Sequence, residues 1–170
     1  QDLTPEAHLA FAKSFGEPEP PHPIYPSVDG YDHIVLLKSG AGSKPDTNDW
    51  HKDLTFRESP PFMSILYAKQ VPKTGGDTLW ANLYAVYDAL PDHMKTLLQG
   101  KSAIHDIGTF RNDFLGPEMD VKAVNQALLD TGSAVHPIIQ IHPVTGRTFL
   151  YVNPSFTQHI VGLKKVSGNL

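Results

Sequence analysis

The sequence predicts one compact, loop-rich domain, mainly β with flanking helices, and three observations carry that expectation. Hydrophobic residues fill 40% of 170 positions, enough to bury a core in a single domain of this size. The 15 Pro and 13 Gly break the chain into short elements joined by turns. Between those breaks, apolar runs of strand length are interspersed with stretches at helical spacing.

Thr4 followed by Pro5 starts a helix that uses Leu9, Ala10, Phe11 and Phe15 as its apolar contacts and stops at Gly16. Five prolines between Glu17 and Pro26 remove backbone donors and hold that stretch extended. His33 to Leu37 is expected as a buried strand, ahead of a long polar loop from Ser39 to Asp49. Trp50 to Phe56 and Phe62 to Val71 are expected as two strands around Ser59-Pro60-Pro61, with a turn at Lys73 to Asp77. Leu83, Val86, Tyr87 and Leu90 mark a short helix. Pro91 opens another with Met94, Leu97 and Leu98 inward, closed by Gly100. Val121, Val124 and Leu128 suggest a helix over 120–129. Ala134 to His142 and Thr148 to Val152, across Pro143-Val144-Thr145-Gly146, form a hairpin.

Fourteen Lys and Arg against 18 Asp and Glu leave a net charge of −4, which gives no electrostatic footprint for nucleic acid or an anionic membrane. No apolar run reaches the length of about 18 residues that a membrane span needs. Residues 1–5 lack a basic segment followed by an apolar core. Zero Cys removes disulfides, thiolate metal sites and Cys nucleophiles and fits a reducing, cytoplasmic setting. Small-molecule chemistry carried by the nine His is the expectation that remains.

In Trp50-His51-Lys52-Asp53-Leu54, His51 and Asp53 are two apart, so on a strand both side chains leave one face and can meet one ion. An imidazole nitrogen with a carboxylate oxygen suits Fe(II), Mn(II) or Zn(II), although a bare His-x-Asp also arises by chance on a solvated strand face. Lys73-Thr74-Gly75-Gly76-Asp77-Thr78 alone reads as a tight loop; it lacks the spacing of a phosphate-binding loop, and no Gly-x-Ser-x-Gly elbow is present. His22 and Tyr25 flank a proline-fixed bend from which both rings can face a ligand or pack on the surface. His105, His136 and His142 border apolar runs and read as hydrogen-bonded structural residues, His8, His93 and His159 as solvent residues. The Trp and Tyr rings read as core rather than as a base-stacking platform.

Taken together, Asn48 to Phe56, Ser59-Pro60-Pro61 and Thr74-Gly75-Gly76-Asp77-Thr78-Leu79-Trp80 resemble the taurine dioxygenase family of Fe(II)- and 2-oxoglutarate-dependent oxygenases. The resemblance runs from Leu3-Thr4-Pro5 through His22-Pro23-Ile24-Tyr25-Pro26 and His105-Asp106 to His142-Pro143-Val144-Thr145-Gly146 and Val152 to Thr157. It implies a double-stranded β-helix, or jelly roll, with helices outside, in one oxygenase domain over 1–170. It makes His51 and Asp53 two of the three ligands of a two-His-one-carboxylate Fe(II) site, and Thr78 the hydroxyl that helps hold the distal carboxylate of 2-oxoglutarate. It places substrate contacts at His22, Tyr25, Leu54 and Phe156.

The implied reaction couples oxidative decarboxylation of 2-oxoglutarate by molecular oxygen to hydroxylation of a small anionic substrate. Next to a sulfonate or sulfate, the hydroxylated carbon collapses and releases sulfite or sulfate with an aldehyde. The family member acting on taurine carries an Asn four residues before its ligand His, where Thr47 stands here with Asn48 one place on, and Phe110 is out of register with a pocket Phe. The family's third ligand His and its carboxylate-binding Arg lie in a C-terminal part. His159 comes too early for that role, so the sequence is expected to belong to a longer protein, its barrel incomplete at both ends. The same chemistry on a carboxylate such as an aryloxyacetate is the alternative, as is a non-catalytic jelly-roll binding module. A homo-oligomer is an open expectation.

Overall fold

The computed structural model describes residues 2–22, 25–40, 49–107 and 132–163. Helix α1 (Pro5–Lys13) begins as its sequence requires: Thr4 is extended, its hydroxyl accepts from Ala7 N–H, and Pro5 fills a first-turn position whose missing donor costs nothing. Strands β1 (Ser27–Val28) and β2 (Tyr31–Val35) make a small antiparallel hairpin. Strand β2 begins two residues earlier than the sequence suggests and is half-buried rather than buried, with Leu37 exposed beyond its end. Helix α2 (Leu83–Asp88) is capped by the Asn82 side chain, which accepts from Tyr84 and Ala85 N–H. Helix α3 (Asp92–Leu98) follows Pro91 and ends towards Gly100, whose φ of +69° favours glycine.

The main sheet has the order β4-β3-β7, from β3 (Ser102–Asp106), β4 (Ser133–Pro137) and β7 (Thr157–Ile160), all antiparallel. Its buried face alternates along β3 and β4, with Ala103 and His105 on one and Ala134 and His136 on the other. A separate hairpin joins β5 (Ile139–Ile141) to β6 (Thr148–Leu150). Its turn is closed by Gly146 N–H to His142 O and by Gly146 at φ +68°.

The expected single strand from Ala134 to His142 is therefore two strands in two sheets. They part at Ile138, just past the donorless Pro137. Ile138 is 1% exposed; its N–H donates to Lys101 O and its carbonyl accepts from Tyr151 N–H. The core has two centres: Leu98, Ala103 and Ile138 under the sheet, and Phe56, Ile107 and Phe156 beside it.

The expected strands at Trp50–Phe56 and Phe62–Val71 do not form. Residues 53–56 form turns and residues 62–71 join no ladder, because no described strand lies alongside to satisfy their backbone groups. Several side-chain expectations change as well. Leu97 is exposed on α3 while Leu98 is buried, and Trp50 and Trp80 are both exposed, Trp80 at 85%. Phe11 and Phe15 pack edge to face at 5.2 Å but stay half in solvent. His8 is partly buried instead of free in solvent, with a ring nitrogen 3.2 Å from Ile65 O. The helix expected over 120–129 lies outside the described residues. Among those described, no helix is long and apolar enough to cross a membrane.

Candidate metal-binding turn and its surroundings

His51 and Asp53 come together on a turn rather than on a strand. His51 Nδ1 lies 2.9 Å from Asp49 O. A carbonyl only accepts, so in the neutral ring the proton sits on Nδ1 and the Nε2 lone pair points outward. That nitrogen is 3.4 Å from Asp53 Oδ1. Two lone-pair donors thus converge on one place, which is stabilised by a cation there. A proton fills that role in part: the hydrogen bond to Asp53 raises the His51 pKa, and the same bond, aided by Ser64, lowers that of Asp53 against the opposing effect of burial. A divalent metal ion fits the same donors, one borderline nitrogen and one hard oxygen. Ser64 Oγ donates to Asp53 Oδ2 and so orients the carboxylate with Oδ1 towards His51. Among the described residues no third His, Cys, Asp or Glu completes a cluster.

The residue after Asp53 is conformationally unusual. Leu54 has φ +55°, a region uncommon for any residue with a side chain. The turn closes with Arg57 N–H to Leu54 O, and Leu54 packs against the Phe56–Ile107–Phe156 cluster together with Tyr25. Three expected substrate contacts, Tyr25, Leu54 and Phe156, therefore share one apolar wall. His22 joins them through its ring, 4.7 Å from that of Tyr25, and its Nδ1 accepts from Tyr25 N–H. Burial lowers the His22 pKa, helped by the Arg57 charge and opposed by Asp53. Arg57 itself is paired with Glu19. Thr78 stands apart on an exposed segment after Gly75 and Gly76, both at positive φ, and no described hydrogen bond joins it to the His51–Asp53 pair. Thr47, Asn48 and Phe110 lie outside the described residues.

Beneath the turn is a polar cluster that the sequence does not single out. Thr55, fully buried, holds His105 Nδ1 at 3.0 Å and accepts from Asn153 Nδ2 at 3.2 Å. His136 Nε2 donates to two carbonyls, Thr55 O at 2.9 Å and Arg57 O at 3.0 Å. Tyr151 stacks on His105, and its pKa is pushed up to about 12 by burial. His105 and His136 are thus the hydrogen-bonded residues expected of them, but their partners were hidden. Thr55, Ser64 and Asn153 carry no spacing signal, since their contacts join segments 11 to 98 residues apart.

The turn thus presents an imidazole nitrogen and a carboxylate oxygen to one point, beside an apolar wall and a second His. The chain belongs to the taurine catabolism dioxygenase TauD, TfdA family, whose model matches residues 1–168. An alkylsulfatase of Acinetobacter baylyi is 34% identical over 166 residues, covering 94% of this chain and 50% of its own. An alpha-ketoglutarate-dependent sulfate ester dioxygenase of Pseudomonas putida is 34% identical over 164 residues, covering 94% and 53%. The crystal structure of a taurine dioxygenase from Burkholderia xenovorans aligns with TM-score 0.71 at 34% identity, covering 96% of this chain and 51% of that one. The chain spans about half the length of the relatives it matches.

Proposed function

We propose that these residues belong to one oxygenase domain of the jelly-roll type, in an Fe(II)- and 2-oxoglutarate-dependent dioxygenase of the cytoplasm. Its substrate is a small organic anion, a taurine-like sulfonate or an alkyl sulfate, from which sulfite or sulfate is released. The observation that carries this reading is the convergence of His51 Nε2 and Asp53 Oδ1 beside the wall of Tyr25, Leu54 and Phe156. When bound, Fe(II) with 2-oxoglutarate supplies the oxidising power by which oxygen hydroxylates an unactivated C–H bond.

His51 and Asp53 would hold the metal. Asp49 O keeps the imidazole in the tautomer that leaves Nε2 available, and Ser64 keeps one carboxylate oxygen occupied so that the other faces the ion. Thr78 is the proposed donor to the distal carboxylate of 2-oxoglutarate. For the substrate, Tyr25, Leu54 and Phe156 exclude water from the carbon chain. His22, whose ring lies against that of Tyr25, is the proposed contact for the anionic head of the substrate. A sulfonate or sulfate offers three acceptor oxygens, and the curated relatives above that act on sulfate esters favour that class.

The test is substrate-dependent succinate formation with Fe(II) and 2-oxoglutarate, across alkyl sulfonates, alkyl sulfates and aryloxyacetates. Turnover is expected with release of sulfite or sulfate. Coupling to carboxylates alone would overturn the sulfur assignment, and near-normal turnover in His51→Ala would overturn the metal assignment.

A further inference from the structure

We infer that Thr55 and His136 are positioning residues, which hold the His51–Asp53 turn in its metal-binding shape through a buried hydrogen-bond cluster. This rests on the metal reading above. The turn needs such a hold. Leu54 occupies a backbone region that a leucine does not favour, and strain of this kind persists only where the surroundings enforce it. Within the turn itself the one described backbone hydrogen bond is Arg57 N–H to Leu54 O. Every other described hydrogen bond to the backbone or side chain of Thr55 comes from β3, from β4 and from Asn153 just ahead of β7.

The cluster is saturated in a way that fixes geometry. His136 Nε2–H is shared between Thr55 O and Arg57 O, so one ring on β4 clamps the turn at two carbonyls two residues apart. Asn153 donates from Nδ2 to Thr55 Oγ1 and accepts at Oδ1 from Phe156 N–H, which ties the turn to the Phe156 wall. His105 bridges Thr55 Oγ1 and Thr157 Oγ1, which lie 3.0 and 3.4 Å from its two nitrogens. Thr55 is two residues from Asp53 and next to Leu54. A displaced Thr55 therefore moves a metal ligand and a pocket wall together. Outer partners that orient metal ligands typically change metal affinity about 10- to 100-fold when removed.

The experiment measures Mn(II) binding to the full chain with 2-oxoglutarate present, from the loss of the free-ion electron paramagnetic resonance signal, with thermal melting recorded in parallel without metal. Thr55→Val keeps the volume and removes the hydroxyl; Thr55→Ser restores it. The expected result is a loss of Mn(II) affinity of about tenfold or more in T55V at a temperature where it is fully folded, with T55S within a few-fold of the parent. A purely structural role moves the melting temperature and leaves affinity in the folded protein unchanged, and that outcome overturns the inference. Should T55V not fold, His136→Gln decides by the same criterion. Its amide keeps a donor but not the shared geometry, so lowered affinity supports the inference and parental affinity overturns it. His51→Ala is the control. If it binds Mn(II) like the parent, the metal reading itself falls and this inference with it, whereas loss in H51A beside parental binding in T55V refutes the inference alone.

Discussion

Acid should loosen this fold through His105, and the size of the effect follows from its surroundings. The ring is wholly buried between Thr55 and Thr157, and its pKa is lowered to about 4, chiefly by burial and further by the neighbouring His136. In the unfolded chain it returns to about 6.5. Between these values the unfolded chain binds a proton that the folded chain does not, so stability from this residue is intact above about pH 6.5 and is lost as pH falls towards about 4. At about 1.4 kcal/mol per pH unit, the loss across that window is about 3 kcal/mol. The assay is urea unfolding from pH 7 to pH 4 of the parent and of His105→Asn, whose amide can replace the bond to Thr55 but does not titrate. Subtracting one curve from the other removes groups common to both. The parent's stability relative to H105N should fall by about 3 kcal/mol over the window; parallel curves would refute the assignment.

Three further outcomes are expected. Phe156→Ala removes a ring that is 4% exposed and edge to face with Phe56 at 5.1 Å; chemical denaturation should show a loss of about 3–5 kcal/mol, and a loss under about 1 kcal/mol would mean that the cluster is not a core. Thr4→Ala deletes the cap on α1 and should cost about 1 kcal/mol by the same measurement. In the metal-free protein, Asp53→Asn removes the main cause of the raised His51 pKa. Its imidazole should then titrate at lower pH by nuclear magnetic resonance, and an unmoved midpoint would show that the pair does not form.

What was legible in the sequence was local. Thr4-Pro5, the Leu83-Val86-Tyr87 spacing, Gly100 and Gly146 act on their immediate neighbours, and the helices and the hairpin turn they specify are in place, whereas the Asn82 cap on α2 was not read from the sequence. The His51-x-Asp53 spacing was legible too, though the reason first given for it changes: a turn, not a strand face, brings the two together. The strands that failed, Trp50–Phe56 and Phe62–Val71, have the right composition, but strand formation is decided by a partner that composition does not reveal. Strands β3 and β7 were missed for the opposite reason. Ala103, His105 and Ile107 alternate as a half-buried strand does, but a His in the buried register breaks the apolar pattern, and its acceptability depends on Thr55 and Thr157 from distant segments.

The reach of the Thr55 contacts has a consequence for how the protein acquires its shape. The partners of this residue lie 50, 81 and 98 residues along the chain, so the turn cannot be completed by anything nearby. Closing such long loops carries an entropy cost that only a nearly assembled sheet can offset. Helices α1 and α2 can nucleate early from their own caps, whereas the His51–Asp53 turn must wait for β3, β4 and the segment around Asn153 to dock. The same order holds in reverse: a chain that begins to open at β7 releases Asn153 and Thr157 first, and metal-binding geometry is then lost before helicity.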